Sequence, residues 1–186
     1  VAKMGYEGVE LFGGLPGHTK ELVNELGLKV PGRHGLYDDF VKEIDKHIAE
    51  TLELGSPVLV CAWSMPGDNY NWETITENLE KFAQAAKNQG LTFAYHNHGH
   101  ELLQNVGSQR VLDYMAENAP SLNFELDIAW LHSGDVSPSE YLEKYANRVA
   151  LVHVKDIAKK GSDWDTVELG QGEVDLSKAL TSAGKT

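Results

Sequence analysis

Hydrophobic and polar positions along the chain follow two alternating patterns. Short runs of β-branched and aromatic residues recur roughly 30 residues apart, and the stretches between them place apolar residues three and four positions apart. The runs predict six strands: Val9–Phe12, Leu28–Gly32, Pro57–Trp63, Leu91–His96, Leu122–Asp127 and Val149–Val154. Strands that alternate with helices in this way are typical of a parallel α/β sheet.

Capping residues agree with this alternation. Apolar stripes predict helices around Phe40–Leu52 and Trp72–Ala86. The predicted N-caps are Asn71, Ser108 and Ser137, and the predicted glycines at helix ends are Gly27, Gly55 and Gly90. The segment Lys159–Gly172 is rich in Gly, Ser, Asp and Lys, so we expect a loop there.

Two architectures fit six parallel strands: an open doubly wound sheet or a (β/α) barrel. A complete barrel has eight strands and typically about 250 residues, whereas this chain has 186. No GxGxxG pattern follows the first predicted strand, which weakens a dinucleotide-binding hypothesis.

Composition narrows the function classes. The chain carries 28 acidic and 16 basic residues, a formal net charge of −12, which argues against a general nucleic-acid partner. No apolar run approaches the roughly 18 residues of a membrane-spanning helix. The single cysteine, Cys61, cannot form an internal disulfide. Val1–Glu10 does not resemble a secretory signal, so we expect a cytoplasmic protein with one domain over residues 1–186.

Charged and imidazole groups stand at the C-terminal ends of five predicted strands. These groups are Glu10, His34, His96 with His98, Asp127, and His153 with Lys155. Sites in parallel α/β proteins lie outside this end of the strands. Imidazole and carboxylate donors suit a divalent ion such as Mn²⁺, Co²⁺, Mg²⁺ or Zn²⁺. Three other histidines, His18, His47 and His100, are expected at the surface or in loops.

Each of these residues also has a purely structural interpretation. A lone histidine at a strand end is more often hydrogen-bonded than a ligand, and Glu10 is equally suited to a salt bridge. Asp127 closes an apolar strand, where an unpaired carboxylate would be costly, so function is favoured there and at His153. Trp130 fits either a core or a pocket wall.

Five motifs in order resemble a known family. They are Met4–Leu11, Tyr95–His98, Leu126–Trp130, Val152–Asp156 and Gly170–Asp175. Together they resemble the sugar phosphate isomerase/epimerase family of the xylose isomerase-like TIM-barrel superfamily, which also contains endonuclease IV-type repair enzymes. The resemblance covers essentially the whole chain.

The resemblance implies a TIM (β/α)8-type barrel with one divalent metal ion at its C-terminal mouth, commonly held by Glu, Asp, His and Glu. Asp127 and His153 match two of these positions. The first Glu position falls at His96, so either His96 replaces it or Glu101 reaches in. The last Glu belongs to an eighth strand expected after residue 186. We therefore expect a partial barrel lacking the first and last strands, either a piece of a longer protein or one that pairs its edges in a homo-oligomer.

The implied activity is a metal-dependent sugar or keto-sugar isomerase or epimerase that removes a proton next to a carbonyl. His96, Asp127 and His153 would hold the metal. Catalytic roles fall to Glu101, His98 and Lys155, and contacts to a small-molecule sugar to Glu10, His34, His98, Trp130 and Lys155. A keto-sugar or keto-inositol dehydratase shares the first step and stays open. A nuclease and a non-catalytic sugar-binding barrel are more remote alternatives.

Overall fold

The computed structural model describes residues 1–13 and 16–185. The chain forms two compact units, Val1–Tyr95 and His96–Thr186, which are described in turn. None of the described helices is both long and apolar enough to cross a membrane.

The first unit alternates parallel strands with helices, as predicted. Its elements are a 3-10 turn (Ala2–Met4), β1 (Leu11–Phe12), α1 (Thr19–Glu25), β2 (Arg33–Leu36), α2 (Tyr37–Leu54), β3 (Val58–Trp63), α3 (Trp72–Asn88) and β4 (Thr92–His96). The strands pair in the order β1-β2-β3-β4, and every pair is parallel. The helix α2 is kinked at Glu43, where the backbone leaves helical angles.

The helix α3 shows how the apolar stripe determines packing. Its buried residues recur at spacings of three and four, as a helix with one apolar face requires. They are Trp72, Ile75, Thr76, Leu79, Phe82, Ala83 and Ala86. The side chain of Asn71 accepts a hydrogen bond from the Thr74 amide at 2.8 Å, which confirms the predicted N-cap.

Three phenylalanines form the centre of the first unit. The rings of Phe40 and Phe93 lie 5.5 Å apart, and those of Phe82 and Phe93 lie 6.0 Å apart, both edge to face. Gly35 in β2 makes room for this cluster, because a Cβ atom there would lie 2.7 Å from Phe40 Cζ. Helix and strand therefore approach more closely than any side chain at position 35 would permit.

Two expectations for the first unit are wrong. The strand predicted at Leu28–Gly32 lies at Arg33–Leu36, and the earlier segment makes only an isolated bridge between Lys29 and Gly8. Pro31 explains the shift, since it has no N–H to donate to a ladder.

His47 was expected at the surface but is buried. Its Nδ1 lies 3.1 Å from Nη1 of the buried Arg33, and its position on α2, seven residues after Phe40, belongs to the apolar stripe. Desolvation and then the Arg33 charge lower the pKa of His47.

The second unit contains shorter elements. They are α4 (His100–Leu103), β5 (Asn105–Val106), β6 (Gln109–Arg110), α5 (Val111–Asn118), β7 (Asn123–Asp127), α6 (Ile128–Ser133), α7 (Pro138–Lys144), a 3-10 turn (Ala146–Arg148), β8 (Val149–His153), β9 (Asp156–Lys160), β10 (Asp163–Val167) and α8 (Leu176–Ala183). The strands β7 and β8 pair in parallel, and β5-β6 and β9-β10 are antiparallel hairpins. The N-cap predicted at Ser137 is confirmed by its hydrogen bond from the Glu140 amide.

The hairpins correct two further predictions. Ser108 is not an N-cap, because it lies in the turn between β5 and β6, and α5 begins only at Val111. The loop predicted over Lys159–Gly172 is in large part the hairpin β9-β10. Its two-residue turn contains Gly161 at a φ of 66°, a conformation that glycine adopts readily.

The segment after β10 is held by the carboxylate of Asp156, which is buried. Oδ2 accepts the amide hydrogens of Gly170 and Gly172 at 2.9 Å each, and Oδ1 accepts those of Ile157 and Val174 at 3.0 and 3.2 Å. Burial acts to raise the pKa of Asp156, but these four backbone donors outweigh it and the pKa is lowered. The Gly170–Asp175 motif is thus fastened to the start of β9.

Candidate metal centre

Three strand ends supply the donors of the candidate metal centre. His96 ends β4, Asp127 ends β7 and His153 ends β8. Asp127 and His153 are direct partners in the parallel register, so their side chains leave the same face of the pair. One donor atom from each of the three residues lies within 4.8 Å of the others. The strand-end pattern of the sequence therefore brings these three side chains together.

The distances within this group are short. Asp127 Oδ2 lies 3.0 Å from His153 Nδ1 and 3.9 Å from His96 Nε2. The centroids of the two imidazole rings are 5.3 Å apart. Asp127 is fully buried, His96 is nearly so, and His153 is half exposed. The group thus has a buried side and a side open to approaching molecules.

The two oxygens of Asp127 have different surroundings. Oδ1 caps α6 by accepting the amide hydrogens of Ala129 and Trp130 at 2.9 Å each. Oδ2 lies 3.0 Å from His153 Nδ1, in poor alignment for a hydrogen bond. A buried carboxylate oxygen is unfavourable unless a positive charge compensates it. The arrangement therefore fits a cation beside Oδ2.

Asn97 fixes the backbone of Asp127. The Asp127 amide donates to Asn97 Oδ1 at 2.9 Å, and Asn97 Nδ2 donates to the Asp127 carbonyl at 3.4 Å. Asn97 is fully buried. This paired contact holds the strand end, and hence the carboxylate, in one position.

Glu125 orients His96. Its Oε1 lies 2.9 Å from His96 Nδ1, and the carboxylate is 1% exposed. When His96 donates its Nδ1 proton to this carboxylate, the lone pair is on Nε2. Nε2 is the nitrogen on the side of Asp127. Histidines that bind metals are commonly oriented by a carboxylate in this way.

Two pKa values at the site are shifted in opposite directions. The pKa of His153 is raised, first by its short contact with the Asp127 carboxylate and against the effect of desolvation. Burial lowers the pKa of His98 to about 3, with smaller effects from neighbouring His96 and His100. His98 is therefore neutral at ordinary pH.

A small aromatic surface adjoins the three donors. The Lys155 ammonium lies 4.0 Å from the centroid of the Trp130 ring, a cation–π distance. The His98 ring lies 5.7 Å from Trp130 and 5.0 Å from His96. Three residues predicted for substrate contact, His98, Trp130 and Lys155, thus lie together beside the candidate centre.

Glu101 contacts His98 and His100 and is not among the three donors of the candidate metal centre, although one of the two sequence predictions made it a ligand there. It is fully buried, and its Oε2 accepts the His98 backbone amide at 2.7 Å while Oε1 lies 3.2 Å from His100 Nε2. His100 was expected at the surface, but its side chain is only 15% exposed because it packs against this carboxylate.

Glu10 and His34, the remaining predicted substrate contacts, belong to the first unit. His34 Nε2 lies 3.4 Å from Glu10 Oε2, and His34 is much less exposed than Glu10. They form an ion pair whenever the imidazole is protonated. Their substrate role stays a prediction.

Two residues of the site were missed by the sequence analysis. Glu125 precedes Asp127 by two positions, so strand alternation already placed it on the same face. Asn97 stands between His96 and His98, and no sequence signal indicated its contact with the Asp127 backbone.

The donor chemistry fits a divalent cation. Two imidazole nitrogens and one carboxylate oxygen are ligands that Zn²⁺, Mn²⁺ and Co²⁺ accept. The buried Asp127 oxygen and the carboxylate behind His96 are both features of such sites.

A family profile described as xylose isomerase-like TIM barrel matches residues 1–183. The chain belongs to the xylose isomerase-like TIM-barrel family. This membership confirms the predicted barrel fold class and the family resemblance found in the motifs.

Among curated relatives of this family member is the inosose dehydratase of Clostridium perfringens (strain 13 / Type A). The two are 37% identical over 90 residues, which cover 48% of this chain and 30% of the relative. The chain thus spans less than a third of that relative's length in the alignment.

Solved structures of the family share the fold at low sequence identity. A sugar phosphate isomerase/epimerase from Parabacteroides distasonis ATCC 8503 superposes with a TM-score of 0.76 at 22% identity, covering 99% of this chain and 78% of that one. A xylose isomerase-like TIM-barrel protein from Mycobacterium smegmatis, solved in complex with magnesium, gives 0.74 at 12% identity, covering 98% and 74%.

Proposed function

We propose that the protein is a divalent-metal-dependent enzyme that removes the proton next to the carbonyl group of a keto-inositol or keto-sugar. The observation that carries this proposal is the convergence of His96, Asp127 and His153 within 4.8 Å at three strand ends. These three residues would hold the ion. When bound, a divalent ion supplies Lewis-acid polarisation of a carbonyl and its neighbouring hydroxyl oxygen. That a structural relative was solved with magnesium adds support.

The neighbouring residues suit a polyhydroxylated substrate. Lys155 donates hydrogen bonds to hydroxyl or developing oxyanion oxygens, and its ammonium is held 4.0 Å from the centroid of the Trp130 ring. Trp130 thus positions Lys155 and forms a wall beside the substrate. His98 is neutral because its pKa is about 3, so it exchanges hydrogen bonds with hydroxyl groups without adding charge.

Glu101 is the proposed base. A carboxylate accepts the proton from the carbon next to the carbonyl, and the amide of His98 fixes its orientation at 2.7 Å. Hydrogen bonding from this amide positions the acceptor before the substrate arrives, which lowers the cost of reaching the reactive geometry.

Dehydration is the favoured outcome of this first step. The curated relative with 37% identity over 90 residues is an inosose dehydratase. In a dehydratase, the electron pair left by the proton expels a hydroxyl group on the next carbon, which leaves as water when it takes up a proton. Isomerisation or epimerisation is the second candidate, since it returns the proton instead, and a structural relative is described as a sugar phosphate isomerase/epimerase.

The test follows the proton and the product. The chain loaded with Mn²⁺ is incubated with a keto-inositol and, separately, a ketohexose in D₂O, and NMR and mass spectrometry record the products. We expect deuterium exchange next to the carbonyl and a product lighter by one water. A rearranged product of unchanged mass would favour the second candidate.

Matched variants connect the reaction to the site. Asp127→Ala removes a proposed ligand and should abolish exchange, whereas Asp163→Ala, an exposed aspartate on the β9-β10 hairpin, should leave it intact. Absence of exchange with both substrates in a chain shown to hold the ion would contradict the proposal.

A further inference from the structure

A second group of metal-ligating side chains lies beside the candidate metal centre. Donor atoms of His98, His100 and Glu101 lie within 4.8 Å of one another. All three residues come from the short turn that follows β4 and begins α4. We call them the turn cluster.

One oxygen of the carboxylate in the turn cluster is fixed by a backbone hydrogen bond. Glu101 is fully buried, and its Oε2 accepts the His98 amide hydrogen at 2.7 Å. Oε1 faces His100 Nε2 at 3.2 Å. One oxygen is therefore fixed by the backbone, and the other is directed at an imidazole nitrogen.

The two imidazole rings of the turn cluster face each other. Their centroids lie 5.8 Å apart and their planes differ by 24°. The rings are thus nearly parallel neighbours, and His100 Nε2 lies 3.2 Å from Glu101 Oε1. Two nitrogens and one carboxylate oxygen form the same donor set as His96, His153 and Asp127, which suits Zn²⁺, Co²⁺ or Mn²⁺.

The turn that carries these donors is tightly packed. Gly99, between the two histidines, lies so close to α6 that a Cβ atom there would stand 2.9 Å from Ser133 Oγ. Leu102, next to Glu101, is 2% exposed. A rigid support of this kind keeps donors in place before a cation binds, which favours binding.

We propose that the turn cluster binds a second divalent cation, adjacent to the one held by His96, Asp127 and His153. The ring of His98 lies 5.0 Å from that of His96, so the two sites are neighbours. The two proposals give the Glu101 carboxylate alternative roles: it is a ligand when the second cation is bound and a proton acceptor when it is not. The count of cations is measured without reference to the reaction.

The experiment counts cations. The chain is loaded with Zn²⁺ or, separately, Co²⁺, freed of excess by desalting, and analysed by elemental mass spectrometry, with calorimetric titration for the affinities. We expect about two equivalents in the unaltered chain, one for each donor group. His100→Gln should lose the second equivalent and keep the first.

Three further variants make the count interpretable. Glu101→Gln retains an acceptor for the His98 amide but removes the charge, and it should also hold a single equivalent. Asp127→Ala should hold a single equivalent too, now in the turn cluster, even if the reaction proves different from the one proposed. His132→Gln removes an imidazole that contacts Trp164 and should keep both.

The proposal is overturned by a single equivalent in the unaltered chain, which would leave an ion pair between His100 and Glu101. It is also overturned if His100→Gln and Glu101→Gln both retain two equivalents. Circular dichroism of each variant shows that the counts refer to folded protein.

Discussion

Glu125 Oε1 lies 2.9 Å from His96 Nδ1, and both side chains are buried. The contact assigns the proton of a neutral His96 to Nδ1 and its lone pair to Nε2. A ring that is oriented in this way does not have to give up rotational freedom when it binds a cation.

Glu125→Gln should therefore weaken cation binding without removing a ligand. Outer contacts of metal-binding histidines typically contribute about 10–100-fold to affinity, and we expect a loss in that range. Titration with Co²⁺ or Mn²⁺ measures it. Glu168→Gln, at an exposed position, provides the matched control. Equal affinities in Glu125→Gln and the control would show that Glu125 does not orient the ring.

Cation affinity should depend on pH through His153. Protons compete with cations for imidazole nitrogens, and the contact with Asp127 raises the pKa of His153 above its usual 6.5. A raised pKa means that the ring becomes protonated at a higher pH than an ordinary histidine. Affinity should therefore be fully present in mildly alkaline solution and should fall as the pH drops through a value above 6.5.

Dissociation constants measured across this range, with a chelator of known pH dependence as reference, check the expectation. An affinity that stays constant until well below pH 6.5 would show that protonation of His153 does not compete.

The sequence predicted those parts of the site in which a metal-ligating residue stands at the end of a strand. His96, Asp127 and His153 stand at strand ends, and parallel strands bring such ends to one edge, so their proximity followed from pattern alone. Glu125 could also have been predicted, because side chains two positions apart on a strand share a face and Glu125 precedes Asp127 by two. The contact between Asn97 and Asp127 was not, because it depends on the path of a backbone that leaves its strand.

The fold was predictable to a similar degree. Long apolar stripes, as in α3, gave elements close to their observed bounds. The strand at Arg33–Leu36 was missed because its first residue, Arg33, is polar and is buried against His47 of α2, which local sequence does not reveal. The β9-β10 hairpin was missed because six of its ten strand residues are polar and only two are buried, although the Gly161-Ser162 turn is a hairpin signal.

Asp156 should contribute to stability in a pH-dependent way. Asp156→Ala leaves four backbone N–H groups without their acceptor, and we expect a loss of about 2–4 kcal/mol in the free energy of unfolding. Urea denaturation measures the loss, with Asp163→Ala as the exposed control. Similar midpoints for the two variants would contradict this role.

The lowered pKa of Asp156 sets the pH window of this contribution. In the unfolded chain the carboxyl has its ordinary pKa of 3.8, and in the folded chain the pKa is lower. The stabilisation is therefore fully present above pH 3.8 and is lost as the pH falls through the folded value. Denaturation curves of the unaltered chain and Asp156→Ala should converge in acid, and a constant difference would exclude this linkage.

Gly35→Ala should destabilise the first unit. The added methyl group would lie 2.7 Å from Phe40 Cζ, so the aromatic cluster has to shift, at a cost of about 1–3 kcal/mol. Gly67→Ala is the control, because no heavy atom lies within 4 Å of its Cβ position. Thermal unfolding of both variants measures the difference, and equal melting temperatures would show that the cluster adapts without cost.

The contact of Asp156 with Gly172 has a consequence for how this family member can change over time. A Cβ atom at position 172 would lie 2.2 Å from Asp156 Oδ1. The same Cβ atom would lie 2.5 Å from the backbone carbonyl oxygen of Ile157, so a larger residue at 172 does not fit even when the side chain at 156 changes. We expect position 172 to stay glycine in descendants of this chain, and position 156 to stay aspartate for as long as the amides of 170, 172 and 174 need its carboxylate.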